Sequence, residues 1–244
     1  MPKVSARRNI ENSLHRYGFV AVAGVDEVGR GALFGPVVAA AVILPERLNS
    51  LARAGLKDSK QLPREQREKL DRRIRRIALA VSVAEIDAET IDRVNIYQAT
   101  RMAMLTAVHG LGITPDHLLI DAMRLDHPCP QTRLYYGDSL SLSIAAASVV
   151  AKVHRDRLMR ELDFIHPGYG LASHKGYATP EHRRSLRELG PCPLHRRSFA
   201  PVRALVTGEP EPTSGLLFEE ALDDDPILDD ALLGPDDLEP SLEV

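Results

Sequence analysis

The stretch Gly18-Phe19-Val20-Ala21-Val22-Ala23-Gly24-Val25-Asp26-Glu27-Val28-Gly29-Arg30-Gly31, continued by Pro36-Val37-Val38-Ala39-Ala40-Ala41-Val42-Ile43-Leu44, decides the fold. Each apolar run is too short for most helices and rich enough in Val and Ala for a strand buried on both faces. The Gly-rich turn between them predicts a hairpin inside a sheet. A helix does not follow Gly29-Arg30-Gly31, so the turn does not match the phosphate-cradling loop of a dinucleotide- or P-loop-binding fold.

Outward from the hairpin, strands and helices alternate. Pro63 suits a first helical position, and Leu62 to Ala78 spaces its apolar residues among Arg, Glu and Lys as a solvated amphipathic helix does. Ala78 to Ile86 reverts to a strand. Asp87 is an N-cap for a helix from Ile91 through Val108 that stops at Gly110. His117 to Ile120 is a short buried strand ending at Asp121. A long helix runs from about Ser141 to Phe164, with small residues Ala145-Ala146-Ala147-Ser148 at its start allowing close approach to a neighbouring backbone. Pro180 opens a further short helix to about Leu189, and Pro191, Pro193 and Pro201 argue against regular structure after it. The expectation is an α/β domain with a mixed sheet flanked by helices and a helical C-terminal extension.

Composition agrees with a globular domain: 44% of the 244 residues are hydrophobic and 27% charged. Cys129 and Cys192, each between prolines, are too sparse for a disulfide framework and predict reduced thiols in a cytoplasmic protein. No apolar run suits a membrane span or a signal peptide. Charge is unevenly distributed. Residues 207–244 carry 13 acidic residues and no Lys or Arg; subtracting them from the totals of 34 and 31 leaves 21 acidic and 31 basic residues in 1–206, a body charge of +10. We divide the chain into a polar lead-in (1–17), a basic globular domain (18–206) and an acidic disordered tail (207–244). A basic body of this kind suits a nucleic acid or another polyanion.

Asp26 and Glu27 end the first strand, Asp121 ends the fourth, and Asp138 lies in a polar turn before the Ala-rich helix. Carboxylates brought together repel unless protonated or neutralised, and an all-oxygen set suits Mg²⁺ or Mn²⁺. Spacing alone leaves these acids open between metal ligands and ordinary cap or turn residues. Zinc is disfavoured, because His166 and His174 belong to no cluster of His and Cys at short spacing.

The run Gly24 to Gly31 with Phe34-Gly35-Pro36-Val37-Val38-Ala39 closely resembles the opening motif of the ribonuclease HII family. Further matching segments follow in order: Leu56 to Leu62, Ile91 to Ile96, Leu119-Ile120-Asp121, Gly137-Asp138-Ser139 leading to Ser143 to Ser148, Ala151-Lys152-Val153 with Arg155-Asp156, Tyr169-Gly170, and Ser173 to Thr179. The resemblance implies an RNase H-like fold in which Asp26, Glu27, Asp121 and Asp138 hold two Mg²⁺ or Mn²⁺ ions. It implies an endoribonuclease that cuts the RNA strand of RNA–DNA hybrids, and at ribonucleotides embedded in duplex DNA, leaving 3′-hydroxyl and 5′-phosphate ends. The backbone of Gly29-Arg30-Gly31 and the Arg30 side chain would sense the ribose 2′-OH and adjacent phosphate, and Tyr177 would stack on the sugar beyond the scissile phosphate. Lys57, Lys60, Ser148 and Lys152 complete the expected substrate contacts.

Type 3 relatives usually carry Thr at the position of Arg30 and an extra N-terminal domain, so type 2 matches better. Two positions depart from the family pattern, Tyr136 and Leu140 standing where basic residues are common, which leaves local phosphate contacts to Lys152 or Arg155. The alternatives are an inactive hybrid-binding protein, which should lack one of the four acids, or another nuclease of the same fold such as a junction resolvase, which would not need the Gly-Arg-Gly sensor. In the tail, Leu216-Leu217-Phe218 weakly resembles a sliding-clamp docking peptide. Nothing demands more than a monomer.

Overall fold

The alternation along the second strand explains the layering. In the computed structural model, which describes residues 8–46, Leu56 and 63–210, β1 (Val22–Val28) and β2 (Val37–Ile43) pair antiparallel with Glu27 opposite Ala39. Val37, Ala39, Ala41 and Ile43 face one core with Ala99, Ala103, Met104 and Ala107 of α4 (Ile96–His109). Val38, Ala40 and Val42 face another, built with α2 (Arg64–Ile77) and α6 (Leu142–Ile165). Side chains alternate across a strand, so a run that is apolar at every position must be covered on both sides.

The described strands form one sheet in the order β3-β2-β1-β4-β5. β3 (Ala80–Ile86) is antiparallel to β2, whereas β4 (His117–Asp121) is parallel to β1 and β5 (Gln131–Leu134) parallel to β4. The mixed sheet flanked by helices is the expected architecture. α6 lies so close to β1 that a Cβ built on Gly24 would fall 2.1 Å from the Ser143 carbonyl carbon. The small residues at the helix start permit that approach.

Four expectations are corrected. The helix foreseen over Ile91–Val108 is two, α3 (Ala88–Val94) and α4, because Asn95 takes φ +69° and its side chain caps the second by accepting from the Gln98 amide. β5 was not foreseen, being four half-buried residues at a sheet edge. Asp138 lies not in a plain turn but in the short helix α5 (Gly137–Leu140). Beyond α7 (Leu171–His174) and α8 (Pro180–Leu189), Pro201 does not break structure but sits in the first turn of α9 (Ala200–Thr207), where its missing N–H costs no helical bond.

The polar lead-in contributes α1 (Asn9–Arg16), whose Leu14 packs against Val22, Leu119 and Ile144. No helix among the described residues is long and apolar enough to cross a membrane. The tail beyond Pro210, including Leu216-Leu217-Phe218, and the residues Lys57 and Lys60 lie outside the described residues.

Candidate active site

Parallel pairing sets the first two acids side by side. Val25 pairs with Ile120, and Asp26 and Asp121 are the next residues on these neighbouring strands. The carboxyl ends of parallel strands are where an open α/β sheet presents side chains to a cleft. Asp26 is buried, and its Oδ1 accepts from the Glu27 amide at 2.8 Å.

The third acid of the cluster is brought in by a backbone contact. Asp121 Oδ1 accepts from the Gly137 amide at 2.7 Å, which draws the start of α5 onto the end of β4 and leaves Asp138 buried beside them. A Cβ on Gly137 would stand 2.6 Å from Ile144 Cδ1, so the junction is already full. Ser148 of α6 hydrogen-bonds the Asp26 side chain. Ser148 is therefore a partner of the carboxylate cluster rather than a group spread over the outer surface.

Electrostatics identifies the four as one cluster. Burial pushes the Asp26 carboxyl well above its ordinary range, and the charges of Glu27, Asp121 and Asp138 push it further, against the Ser148 hydrogen bond. Glu27 is raised by burial and by Asp121, and held back by Arg30, whose Nη1 lies 3.4 Å from Oε1. Glu27 Oε2 is buried with no hydrogen-bond partner. Like charges held together out of water destabilise the fold unless a proton or cation joins them. Among the described residues no three acidic, imidazole or thiol side chains are already drawn into a metal-holding group. The mutual repulsion, the all-oxygen donor set and the orphaned Glu27 oxygen nonetheless fit a hard divalent cation.

Beside the acids, Gly29 to Ala32 forms a tight turn closed by the Ala32 amide on the Gly29 carbonyl at 3.3 Å, with Gly29 at φ +89°. This turn is sewn to the loop carrying Tyr177: Ala32 bridges Tyr177, and the Leu33 amide donates to the Gly176 carbonyl at 2.8 Å. The Tyr177 ring lies over the Arg155 guanidinium, 5.6 Å from Cζ to centroid. The structure thus brings Gly29, Arg30, Gly31 and Tyr177 into one block next to Asp26 and Glu27.

Arg155 itself corrects an expectation. It is wholly buried, and its three guanidinium nitrogens donate to the carbonyls of Pro36, Lys175 and Phe34, so it is not a surface contact for phosphate. Lys152 is bound to Asp156 at 2.5 Å, with Arg67 on the same carboxylate at 3.2 Å. Sequence reasoning also missed Arg196 and Glu11, both buried and both bonded across long sequence separations. Arg155 did leave a signal: it continues the row Ala147, Ala151, Arg155, spaced every fourth residue, on the buried side of α6.

Known proteins resemble this chain over most of its length. Residues 23–202 match the family model described as Ribonuclease HII. The Ribonuclease HII of Koribacter versatilis is 55% identical over 206 residues, covering 84% of this chain and 79% of that protein. The crystal structure of the ribonuclease H2 from Pyrococcus horikoshii superposes with a TM-score of 0.68 at 27% identity, covering 77% of this chain and 97% of that one. The RNase HII from Archaeoglobus fulgidus, solved as a complex with PCNA, gives a TM-score of 0.62 at 27% identity over 72% of this chain and 92% of that one. With the family model spanning most of the chain and a relative this similar over its length, the protein belongs to the ribonuclease HII family and is a ribonuclease H endonuclease.

Proposed function

We propose that the chain hydrolyses the RNA strand of RNA–DNA hybrids and incises duplex DNA at embedded ribonucleotides, leaving 3′-hydroxyl and 5′-phosphate ends. The observation that carries this reading is the adjacency of two features: a cluster of four carboxylates, Asp26 and Asp138 buried and Glu27 and Asp121 half-buried, and a glycine turn whose backbone is locked to Tyr177. Asp26, Glu27, Asp121 and Asp138 would hold two Mg²⁺ or Mn²⁺ ions. Bound there, such ions supply an activated water and neutralise charge on the leaving oxygen. The chain's own residues do the rest. Gly31 lacks the Cβ that would keep a sugar from the backbone, while the place of a Gly29 Cβ is taken by the Arg155 side chain, so the turn's peptide groups can meet the ribose 2′-OH. Arg30 sets a guanidinium beside the neighbouring phosphate, and the Tyr177 face stacks on the next sugar. The +10 body supports binding to the polyanionic backbone.

A labelled duplex carrying one ribonucleotide tests the reading, with Mg²⁺, Mn²⁺ or EDTA and with wild type, Asp26→Asn and an all-DNA control. Metal-dependent cutting 5′ of the ribonucleotide, absent in the variant and the control, is expected. Activity on long hybrids without cutting there would remove the embedded-ribonucleotide part, and silence on both would leave a binding protein. By analogy with the PCNA-bound relative from Archaeoglobus fulgidus, the Leu216-Leu217-Phe218 segment is assigned to a clamp contact; deleting residues 208–244 should abolish clamp binding and spare cleavage of a short duplex.

A further inference from the structure

Two arginines are buried in this protein without any ion pair among the described residues. Arg155 and Arg196 are both wholly inaccessible, and their guanidinium groups donate to carbonyls instead of carboxylates. A buried charge is costly unless its hydrogen bonds are met. The rigid fork meets three carbonyls in Arg155 and two in Arg196, whose Nη2 is buried without a partner, an arrangement a flexible ammonium does not reproduce. What matters is which carbonyls are held.

Arg196 donates from Nε to the Gly35 carbonyl at 2.9 Å and from Nη1 to the Arg30 carbonyl at 2.7 Å, while its own amide donates to the Leu33 carbonyl at 2.8 Å. Its guanidinium lies on the Phe199 ring, 5.1 Å from Cζ to centroid, which fixes the plane of the fork. Arg30 and Gly31 are the two middle residues of the turn closed between Gly29 and Ala32. The peptide joining them is the part of a tight turn that can flip, carrying its carbonyl from one side to the other at little cost to the flanking residues. A trans peptide holds its C=O and N–H on opposite sides. With the Arg30 carbonyl bound to a wholly buried guanidinium, the Gly31 N–H is directed away from that buried group.

We propose that Arg196 is a positioning residue for ribose recognition, fixing the middle peptide of the Gly29–Ala32 turn so that the Gly31 amide is presented to the 2′-hydroxyl. Arg155 secures the other half of the block: its carbonyl bonds to Phe34, Pro36 and Lys175 and its contact with the Tyr177 ring hold the tyrosine loop to the same turn. Recognition is then preset, with the ordering cost met on folding and not on binding. The inference rests on the ribose-reading role proposed for the turn and adds the device that sets its orientation.

The test is discrimination. Binding is measured by fluorescence anisotropy in EDTA for a duplex with one ribonucleotide and for its all-DNA counterpart, using full-length wild type, Arg196→Lys, Arg196→Gln and Val202→Ala. Lys and Gln each keep a donor for one carbonyl and release the other. Val202→Ala thins the neighbouring buried cluster of Leu33, Leu186 and Val202 and controls for general destabilisation. The expected result is a fall of at least fivefold in the ribo-to-deoxy affinity ratio for both Arg196 variants, carried by weaker ribonucleotide binding, with the ratio unchanged in Val202→Ala. An unchanged ratio in the Arg196 variants, or an equal fall in Val202→Ala, overturns the proposal. A wild type that does not discriminate overturns the ribose-reading role itself. Should both Arg196 variants fail to fold, the wild-type Gly31 amide resonance decides: a downfield shift with the ribonucleotide duplex alone supports the proposal, and no difference between duplexes sinks it.

Discussion

Gly29 stands directly against the side chain of Arg155: a Cβ built on Gly29 would lie 2.2 Å from Arg155 Nε and 2.7 Å from its Cζ. The arginine cannot swing aside, because its three nitrogens are bound to three carbonyls. Gly29 also holds φ +89°, a conformation L side chains rarely adopt. Gly29→Ala should therefore lose about 2–4 kcal/mol of stability and at least tenfold in kcat/KM on a ribonucleotide-containing duplex. Urea melts and steady-state cleavage check this, and a variant within 0.5 kcal/mol of wild type, a scatter about that of neutral surface changes, would show that the turn is looser than the contact implies.

Asp26 gives a prediction with opposite signs for stability and activity. Its carboxylate is buried among Glu27, Asp121 and Asp138, so in EDTA at neutral pH its charge opposes folding. Asp26→Asn should melt higher than wild type in EDTA, by about 1 kcal/mol, since one like charge is gone and the shape is kept. It should lose the stabilisation that Mg²⁺ or Mn²⁺ gives wild type, together with at least 100-fold in cleavage. A lower melting point in EDTA would mean that the Ser148 and Glu27 hydrogen bonds to Asp26 outweigh the repulsion.

Glu11 joins the lead-in to the catalytic centre. Its Oε1 accepts from Ser141 Oγ at 2.7 Å and from the Ser143 amide at 2.8 Å, at the start of the helix that carries Ser148, while Oε2 is buried without a partner. Glu11→Ala orphans both donors in a buried place and should cost about 2–3 kcal/mol. Glu11→Gln, which keeps one acceptor oxygen, should cost less than half as much. Denaturant titrations of the two variants separate these values; equal losses would assign the effect to the negative charge at the α6 N-terminus and not to the hydrogen bonds.

The parts of the fold that could be read from the sequence were those fixed by local pattern. Val37 to Ile43 is apolar at every position, and only a strand covered on both faces accommodates that. Asp87 as a helix cap follows from a side chain that bonds the amide three residues on; Ser141 is read from the sequence only as the approximate start of the long helix that it caps. The break at Asn95 is also local, but it needs an asparagine in a left-handed conformation, which composition does not announce. Asp26, Glu27 and Asp121 stand out because they end strands, whereas Asp138 lies outside the strands and joins the set through the family resemblance. Arg155 is read from the sequence as a phosphate contact and Arg196 and Glu11 not at all, because each is polar in sequence and becomes buried only through partners 119, 166 and 130 residues away.

Two buried histidines beneath the Tyr177 loop make acid stability a readout of the site's support. The Cys192 amide donates to His195 Nδ1 at 3.0 Å, so the proton of neutral His195 is on Nε2. His182 Nδ1 donates to the Tyr177 carbonyl at 3.0 Å, leaving its Nε2 to accept from His195 Nε2 at 3.3 Å. The pair is satisfied only when both rings are neutral. Burial pushes each pKa down to about 4, helped by His174, stacked on His182 at 4.4 Å, and for His195 by His182 itself. Between that value and the unfolded histidine pKa of about 6.5, the unfolded chain binds more protons than the folded one. Stability from this pair is fully present above that upper limit and declines as pH falls toward 4. Allowing for partial solvent screening, the loss should be roughly 3 kcal/mol for the pair. Asp26 and Glu27, with raised pKa values, act in the opposite direction over acidic pH and must be separated from it. Comparing wild type with His195→Gln does so, because the carboxylates are common to both. The variant should be less stable at pH 8 and show a shallower decline between pH 6.5 and 4. Parallel stability curves would mean that His195 takes up its proton as readily in the folded chain as in the unfolded one, so that the neutral ring pair is not what supports the Tyr177 carbonyl.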